Sequence, residues 1–255
     1  MDVSEGSTAP RSRRERPAKP ALTYEGIVDT AVRLMKSEGL QRVTMRRLAQ
    51  ELDTGPASLY VYVANTAELH AAILEDLLGA VDRTPVDDEG EWIDRLIAVL
   101  GSCTQVLFEH PSLAHSALVA RPSGPNYLAL VEAILALLHE GGVPDAQAAW
   151  GVDVLLQVAT ATAAEQSARD RNSAAEEEFR SLTAALRRAS SETHPRIAAV
   201  GDALVSGTPQ QRLTWIFRSV IQGTLTTPTP IPAETTRADD SLREPPDTGS
   251  APSRK

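Results

Sequence analysis

From Leu22 to Leu225, apolar residues recur three and four positions apart, and the runs are bracketed by residues that start or stop helices. Thr23 can cap a helix whose apolar positions Ile27, Ala31, Leu34 and Met35 share one face, and Gly39 stops it. Thr44 can cap a second helix, with Met45, Leu48, Ala49 and Leu52 aligned. Asp53-Thr54-Gly55 breaks the chain, and Pro56 stands where a first helical residue tolerates proline. The short third helix carries Leu59, Tyr60 and Val63; Asn65 with Glu68 opens a fourth, with Leu69, Ile73 and Leu77 inward.

A longer series follows a break at residues 84–90. Its segments run from Trp92 to about Glu109, from Pro111 to about Ala120, from Pro125 to Glu140, and from Pro144 to about Arg169. Ser173 with Glu176 predicts a capping box for a helix to about Ser190; Thr208, Pro209 and Gln211 predict another for a last helix to about Leu225. No element is assigned between these two. Aromatic residues are only 4%, β-branched clusters are scarce, and no convincing strand or internal repeat is found, so the predicted fold is all-α. Residues 1–20 and 226–255, rich in proline and small polar residues, cannot bury a core and are expected to be disordered. The predicted organisation is a basic arm (1–20), an N-terminal helical domain (21–81), a larger helical domain (82–225) and a tail (226–255).

Charge separates these parts. Residues 1–52 hold ten Lys/Arg against seven Asp/Glu, so a chain of net charge −9 divides into a +3 head and a −12 remainder. A basic head on an acidic body suits a DNA partner that the body repels. No run reaches the roughly 18 apolar residues of a membrane span. The Arg-rich beginning lacks the apolar core of a secretory signal. Cys103 is the only cysteine, which excludes an intramolecular disulfide and fits a reducing cytoplasm.

Two short helices joined by a tight turn make a helix-turn-helix, here Thr44–Leu52, Asp53–Gly55 and a reading helix Pro56–Tyr62. Pattern alone leaves open ordinary packed helices of a bundle. The wording of residues 22–78 is more specific. Ile27 and Ala31, Glu38-Gly39-Leu40, Thr44-Met45-Arg46-Arg47-Leu48-Ala49, Leu59-Tyr60 and Glu68-Leu69 resemble the DNA-binding head of the tetracycline-repressor (TetR) family. The resemblance implies a helix-turn-helix head and a helical body that binds a small molecule and dimerises. It usually implies repression of a double-stranded DNA operator, relieved by that molecule. In that family the last long helices of two subunits pair; Pro144–Arg169 and Pro209–Leu225 are the candidates, the latter with Leu213, Ile216, Phe217, Val220 and Ile221 as a stripe that a monomer can also bury. Three features depart from the family pattern: Asp53-Thr54-Gly55 replaces the common Gly-Val-Ser, Thr66 a frequent lysine, and Val63 a bulkier aromatic.

The candidate DNA-binding residues are Thr44, Arg46, Arg47, Gly55, Pro56, Ala57, Ser58, Tyr60, Tyr62 and Thr66. The reading helix contains no Arg, Lys, Asn or Gln, the types that bond base edges in pairs. Pro56 and Ala57 can touch thymine methyls, Ser58 can bond a base edge or phosphate, and Tyr60 and Tyr62 are placed as hydroxyl donors to phosphate. Specificity is then expected to rest largely on methyl contacts and DNA shape. Arg46 is assigned to phosphate contact and Arg47 to structure. The arm Arg11-Ser12-Arg13-Arg14-Glu15-Arg16 can enter a minor groove or simply solubilise the chain.

In the body, Asp153, Gln157 and Thr160 form a polar stripe on an apolar helix, suited to a ligand pocket, although a solvated or subunit-facing surface is the preferred reading. Trp92, Phe108, His115, Tyr127 and Trp150 complete the candidate ligand set, though such aromatics commonly fill cores. The five histidines show no metal-ligand spacing, and no nucleophile elbow or phosphate loop is found. No cofactor, metal or catalytic residue is assigned, and the chain is not expected to be an enzyme. A small-molecule binding protein whose head no longer reads DNA is the alternative, given the departures at Asp53–Gly55 and Thr66.

Overall fold

The computed structural model describes residues 21–118 and 122–230. The predicted arm and most of the predicted tail lie outside the described residues. Those described form helices α1 (Tyr24–Glu38), α2 (Met45–Glu51), α3 (Pro56–Leu59), α4 (Thr66–Leu78), α5 (Trp92–Glu109), α6 (Pro111–Ala117), α7 (Pro125–Glu140), α8 (Asp145–Arg171), α9 (Ala175–Arg187), α10 (Pro195–Leu204) and α11 (Pro209–Thr226). Among them there is no strand, and no helix is long and apolar enough to cross a membrane.

The caps read from the sequence form largely as expected. The side chains of Thr23, Thr44 and Asn65 accept from the backbone amides of Gly26, Arg47 and Glu68. At Thr208 the full box closes, with the Gln211 carboxamide oxygen accepting from the Thr208 amide at 2.8 Å. Gly39 ends α1 at φ 86°, a conformation that an L side chain would strain.

Three expectations need correction. The Ser173–Glu176 box is absent. Asn172 instead accepts from the Ala174 amide at 3.0 Å, and Ala174 becomes the first boundary residue of α9. Helix α10 occupies a segment to which no element was assigned; Pro195 fixes its first residue, and Ile197, Val200 and Leu204 give only a short, weak apolar series. The reading helix is shorter than Pro56–Tyr62, because residues 60–62 are a turn.

Helices α1 to α3 close on the N-terminal part of α4, with Ile27, Leu48, Leu59, Leu69 and Ile73 wholly buried. In the body, α8 is the central helix and packs against α5, α6, α7 and α11. Its small residues permit this: Ala159 and Ala163 are wholly buried, and a side chain at Gly151 would meet Thr224 of α11 at 2.6 Å. Ser167 donates to the Pro111 carbonyl at 2.7 Å, tying α6 to α8. The α11 stripe turns Leu213, Phe217 and Ile221 into the chain's own core, leaving Ile216 and Val220 partly covered. Helices α9 and α10 pack mainly on each other.

Phe217 is 1% exposed and is the largest wholly buried side chain among the described residues. Truncation to alanine is expected to cost about 3–5 kcal/mol of unfolding free energy, read as a shifted urea midpoint by circular dichroism. A change below about 1 kcal/mol would mean that α11 does not seal this core.

Candidate nucleic-acid interface and neighbouring cavity

The interface is built by one sharp reversal. At the end of α2 the Thr54 amide donates to Ala49 O at 2.8 Å and the Asp53 amide to Gln50 O at 3.1 Å. This is the double bond of a Schellman ending, with Asp53 at φ 48° in the left-handed position. Aspartate tolerates that region better than most L residues, so the family's common glycine is replaced without losing the turn. Gly55 then precedes α3 with no side-chain cap, Pro56 takes its first turn, and the Ser58 amide closes on Gly55 O at 3.0 Å.

Leu59 and Val63 are both wholly buried and pin this segment from beneath. Gly55, Pro56, Ala57, Ser58, Tyr60, Tyr62 and Thr66 are therefore all exposed, on the side away from the core. Val61, not singled out from the sequence, is 81% exposed beside them. The signal was available: with positions 59 and 63 inward, position 61 faces outward. The Tyr62 hydroxyl donates to the Leu22 carbonyl at 2.8 Å, so its proton is engaged within the head rather than offered to phosphate.

The two arginines of α2 differ in circumstance. Arg47 grips Glu38 with two nitrogens, at 2.5 and 3.1 Å, and reaches Glu51 at 2.9 Å. Hydrogen bonding to Arg47 holds the Glu38 carboxyl below its usual range, and the same bonds push the guanidinium further up. Arg47 thus ties the end of α1 to α2. Arg46 is exposed and makes no ion pair with another described residue. Thr44 stays exposed at the mouth of α2, its hydroxyl accepting from the Arg47 amide.

Behind the head lies a cavity of about 280 Å³ between α4, α5, α7 and α8. Asp153, Gln157 and Thr160 line it together with Tyr127, so the polar stripe of α8 faces this space. The Gln157 amide donates to the Asp153 carboxylate, which directs its carbonyl elsewhere. The apolar wall, absent from the sequence-derived set, comes from Leu74, Leu78, Cys103, Leu107, Leu130 and Leu156. These residues read as core in sequence because a cavity wall and a core share the same periodicity. Leu118 and Pro122 border the space on either side of the undescribed residues 119–121.

Three of the aromatics proposed as ligand residues do not line this cavity. Trp92 packs over Gly141, where a Cβ would approach within 2.3 Å. Phe108 packs against the core, and Trp150 is half exposed on the outer face of α8 with Val154. The His115 side chain lies outside the described residues. No group of three His, Cys, Asp or Glu among the described residues is placed to hold a metal ion.

Comparison with known proteins agrees with this arrangement. Residues 27–73 match the profile of bacterial regulatory proteins of the tetR family, and residues 84–211 match the tetracyclin repressor-like C-terminal domain. The chain belongs to the TetR family. The crystal structure of the Streptomyces transcription regulator SCO7704 is 58% identical and superposes with a TM-score of 0.69, over 84% of this chain and all of that one. The Streptomyces coelicolor TetR family protein ActR, in complex with actinorhodin, is 33% identical with a TM-score of 0.71, over 81% of this chain and 96% of that one. The HTH-type transcriptional repressor DrrR1 of Streptomyces coeruleorubidus is 34% identical over 134 residues, 52% of this chain and 49% of that protein. The chain spans about half the length of the curated relatives it matches. The tetR-family match over residues 27–73 takes in α2, the Asp53 turn and α3.

Cys103 stands in the cavity wall and is buried. Burial pushes its thiol up to about 12, so almost no thiolate, the reactive form, exists at neutral pH. The native protein should resist Ellman's reagent, while the guanidinium-unfolded chain should release about one equivalent. Prompt reaction of the native protein would place the thiol at an open surface.

Proposed function

We propose that this TetR-family regulator is a repressor that acts in the cytoplasm. It binds a two-fold symmetric operator as a homodimer and is released when a small molecule fills the cavity behind its head. The observation that carries the reading is the position of α4. Its N-terminal half belongs to the head core, and Leu74 and Leu78 form part of the cavity wall. A molecule seated there touches the element that carries the DNA-binding surface. The repressor named among its relatives and the ActR complex with actinorhodin support both halves of the proposal.

The operator contacts are assigned by exposure and chemistry. Arg46, and the α2 mouth at Thr44, meet phosphate. Gly55 lets the backbone approach, while Pro56, Ala57 and Val61 offer apolar contacts to thymine methyls. Ser58 and Tyr60 provide free hydroxyls, Tyr62, its proton held by the Leu22 carbonyl, can accept only from a base amino group, and Thr66 contacts the backbone without a charge. The effector is mainly apolar and brings hydrogen-bond donors or positive charge to Asp153, the carboxylate among the described lining residues. Subunit pairing uses the outer face of α8 and α11, where Trp150, Val154 and Trp215 are 49%, 44% and 70% exposed. Large aromatics left in water are typical of an uncovered interface core.

Two measurements test this reading. Arg46→Ala should weaken operator binding by about tenfold in a fluorescence-anisotropy titration and reduce the slope of log affinity against log salt by about 1. An unchanged slope would remove Arg46 from the phosphate contacts. Trp215→Glu should convert a dimer to a monomer in sedimentation velocity with helicity intact; a parent chain sedimenting as a monomer at micromolar concentration would contradict the proposed assembly.

A further inference from the structure

Helix α7 begins without a cap of its own, because Gly124 precedes it and offers no side-chain acceptor. The acceptor arrives from another helix. Glu75 of α4 receives the Asn126 amide at 2.6 Å and the Tyr127 amide at 3.2 Å, one on each carboxylate oxygen. A carboxylate at this end also meets the positive pole of the helix. Asn126 returns the contact, its side-chain amide donating to the Glu75 carbonyl at 3.1 Å. That carbonyl stands in the last turn of α4, where the Gly79 amide bonds to Asp76 instead, at 3.0 Å. The two helices thus cap each other. Two glycines keep the space open: a Cβ at Gly124 would fall 2.5 Å from the Glu75 carboxylate, and one at Gly79 would fall 3.2 Å from the Asn126 amide nitrogen.

We propose that Glu75 is a positioning residue for operator binding: by locking α4 to the start of α7, it sets the angle at which the body holds the head. The proposal rests on the reading of the chain as an operator-binding dimer with an effector cavity. Its consequence is specific to that cavity. Leu74 and Leu78 flank Glu75 on α4, and Tyr127, whose amide is in the lock, lines the same space. An occupant that parts α4 from α7 strains this lock first.

Two substitutions remove the lock by independent routes, Glu75→Ala by deleting the acceptor and Gly124→Ala by displacing it. Each full-length variant is titrated against the full operator and against a single half-site, at a temperature where circular dichroism shows it as folded as the parent. The expected result is a loss of about tenfold or more on the full operator. The half-site changes by less than about twofold, because the buried head contacts of Leu69 and Ile73 are left in place. Glu75→Gln, which keeps a carbonyl acceptor, should recover much of the loss. Unchanged affinity for the full operator, or equal losses on full and half sites, would overturn the proposal. A parent chain that distinguishes no operator from random DNA would overturn the regulator reading itself, a result separate from either.

Discussion

Helix α4 is buried against two cores at once, with Leu69 and Ile73 packed among the head helices and Leu74 and Leu78 in the wall of the body cavity. At 13 residues it is a rod of roughly 20 Å, too short to bend appreciably and closed by hydrogen bonds at both ends. Packed interiors pass displacement on rather than absorb it, so a shift at one end of such a rod appears at the other. The Asn65 cap fixes its start beside the reading segment, and the exchange between Glu75 and Asn126 fixes its end beside the cavity. The exposed segment around α3 and the cavity in the body are connected through this rod.

The head was legible because its signals are local. Thr23, Thr44 and Asn65 announce helix starts by side-chain chemistry that needs no tertiary information, and each caps as read. Leu48, Leu59 and Leu69 fall inward by period alone. The body was less legible where tertiary contacts decide. Ser173 and Glu176 have the spacing of a capping box, yet Asn172 wins the Ala174 amide. Helix α10 has few apolar anchors and gains order chiefly by packing on α9. Glu75 had no sequence signal at all, since its partners lie 51 and 52 residues away.

The candidate ligand set divides along the same line. Asp153, Gln157 and Thr160 share a helix face, so period alone brings them together, and the structure lays that face along the cavity. Trp92, Phe108 and Trp150 were chosen for size, and size does not say which side of a helix meets a void. Trp150 stands with Val154 on an outer face, and Trp92 closes over Gly141. The two arginines of α2 divide as well: Arg47 is consumed within the head by Glu38 and Glu51, whereas the adjacent Arg46 is left in solvent.

The central claim is that the surface from Thr44 to Thr66 reads DNA. Selection of the full-length chain on random duplex oligonucleotides, followed by sequencing of the bound pool, tests this most directly. The account predicts enrichment of an inverted repeat whose half-sites lie about one helical turn apart, with retention that falls steeply as salt rises. A bound pool with no enriched sequence at moderate salt would contradict it, and would leave the chain as a ligand-binding protein with a silent head.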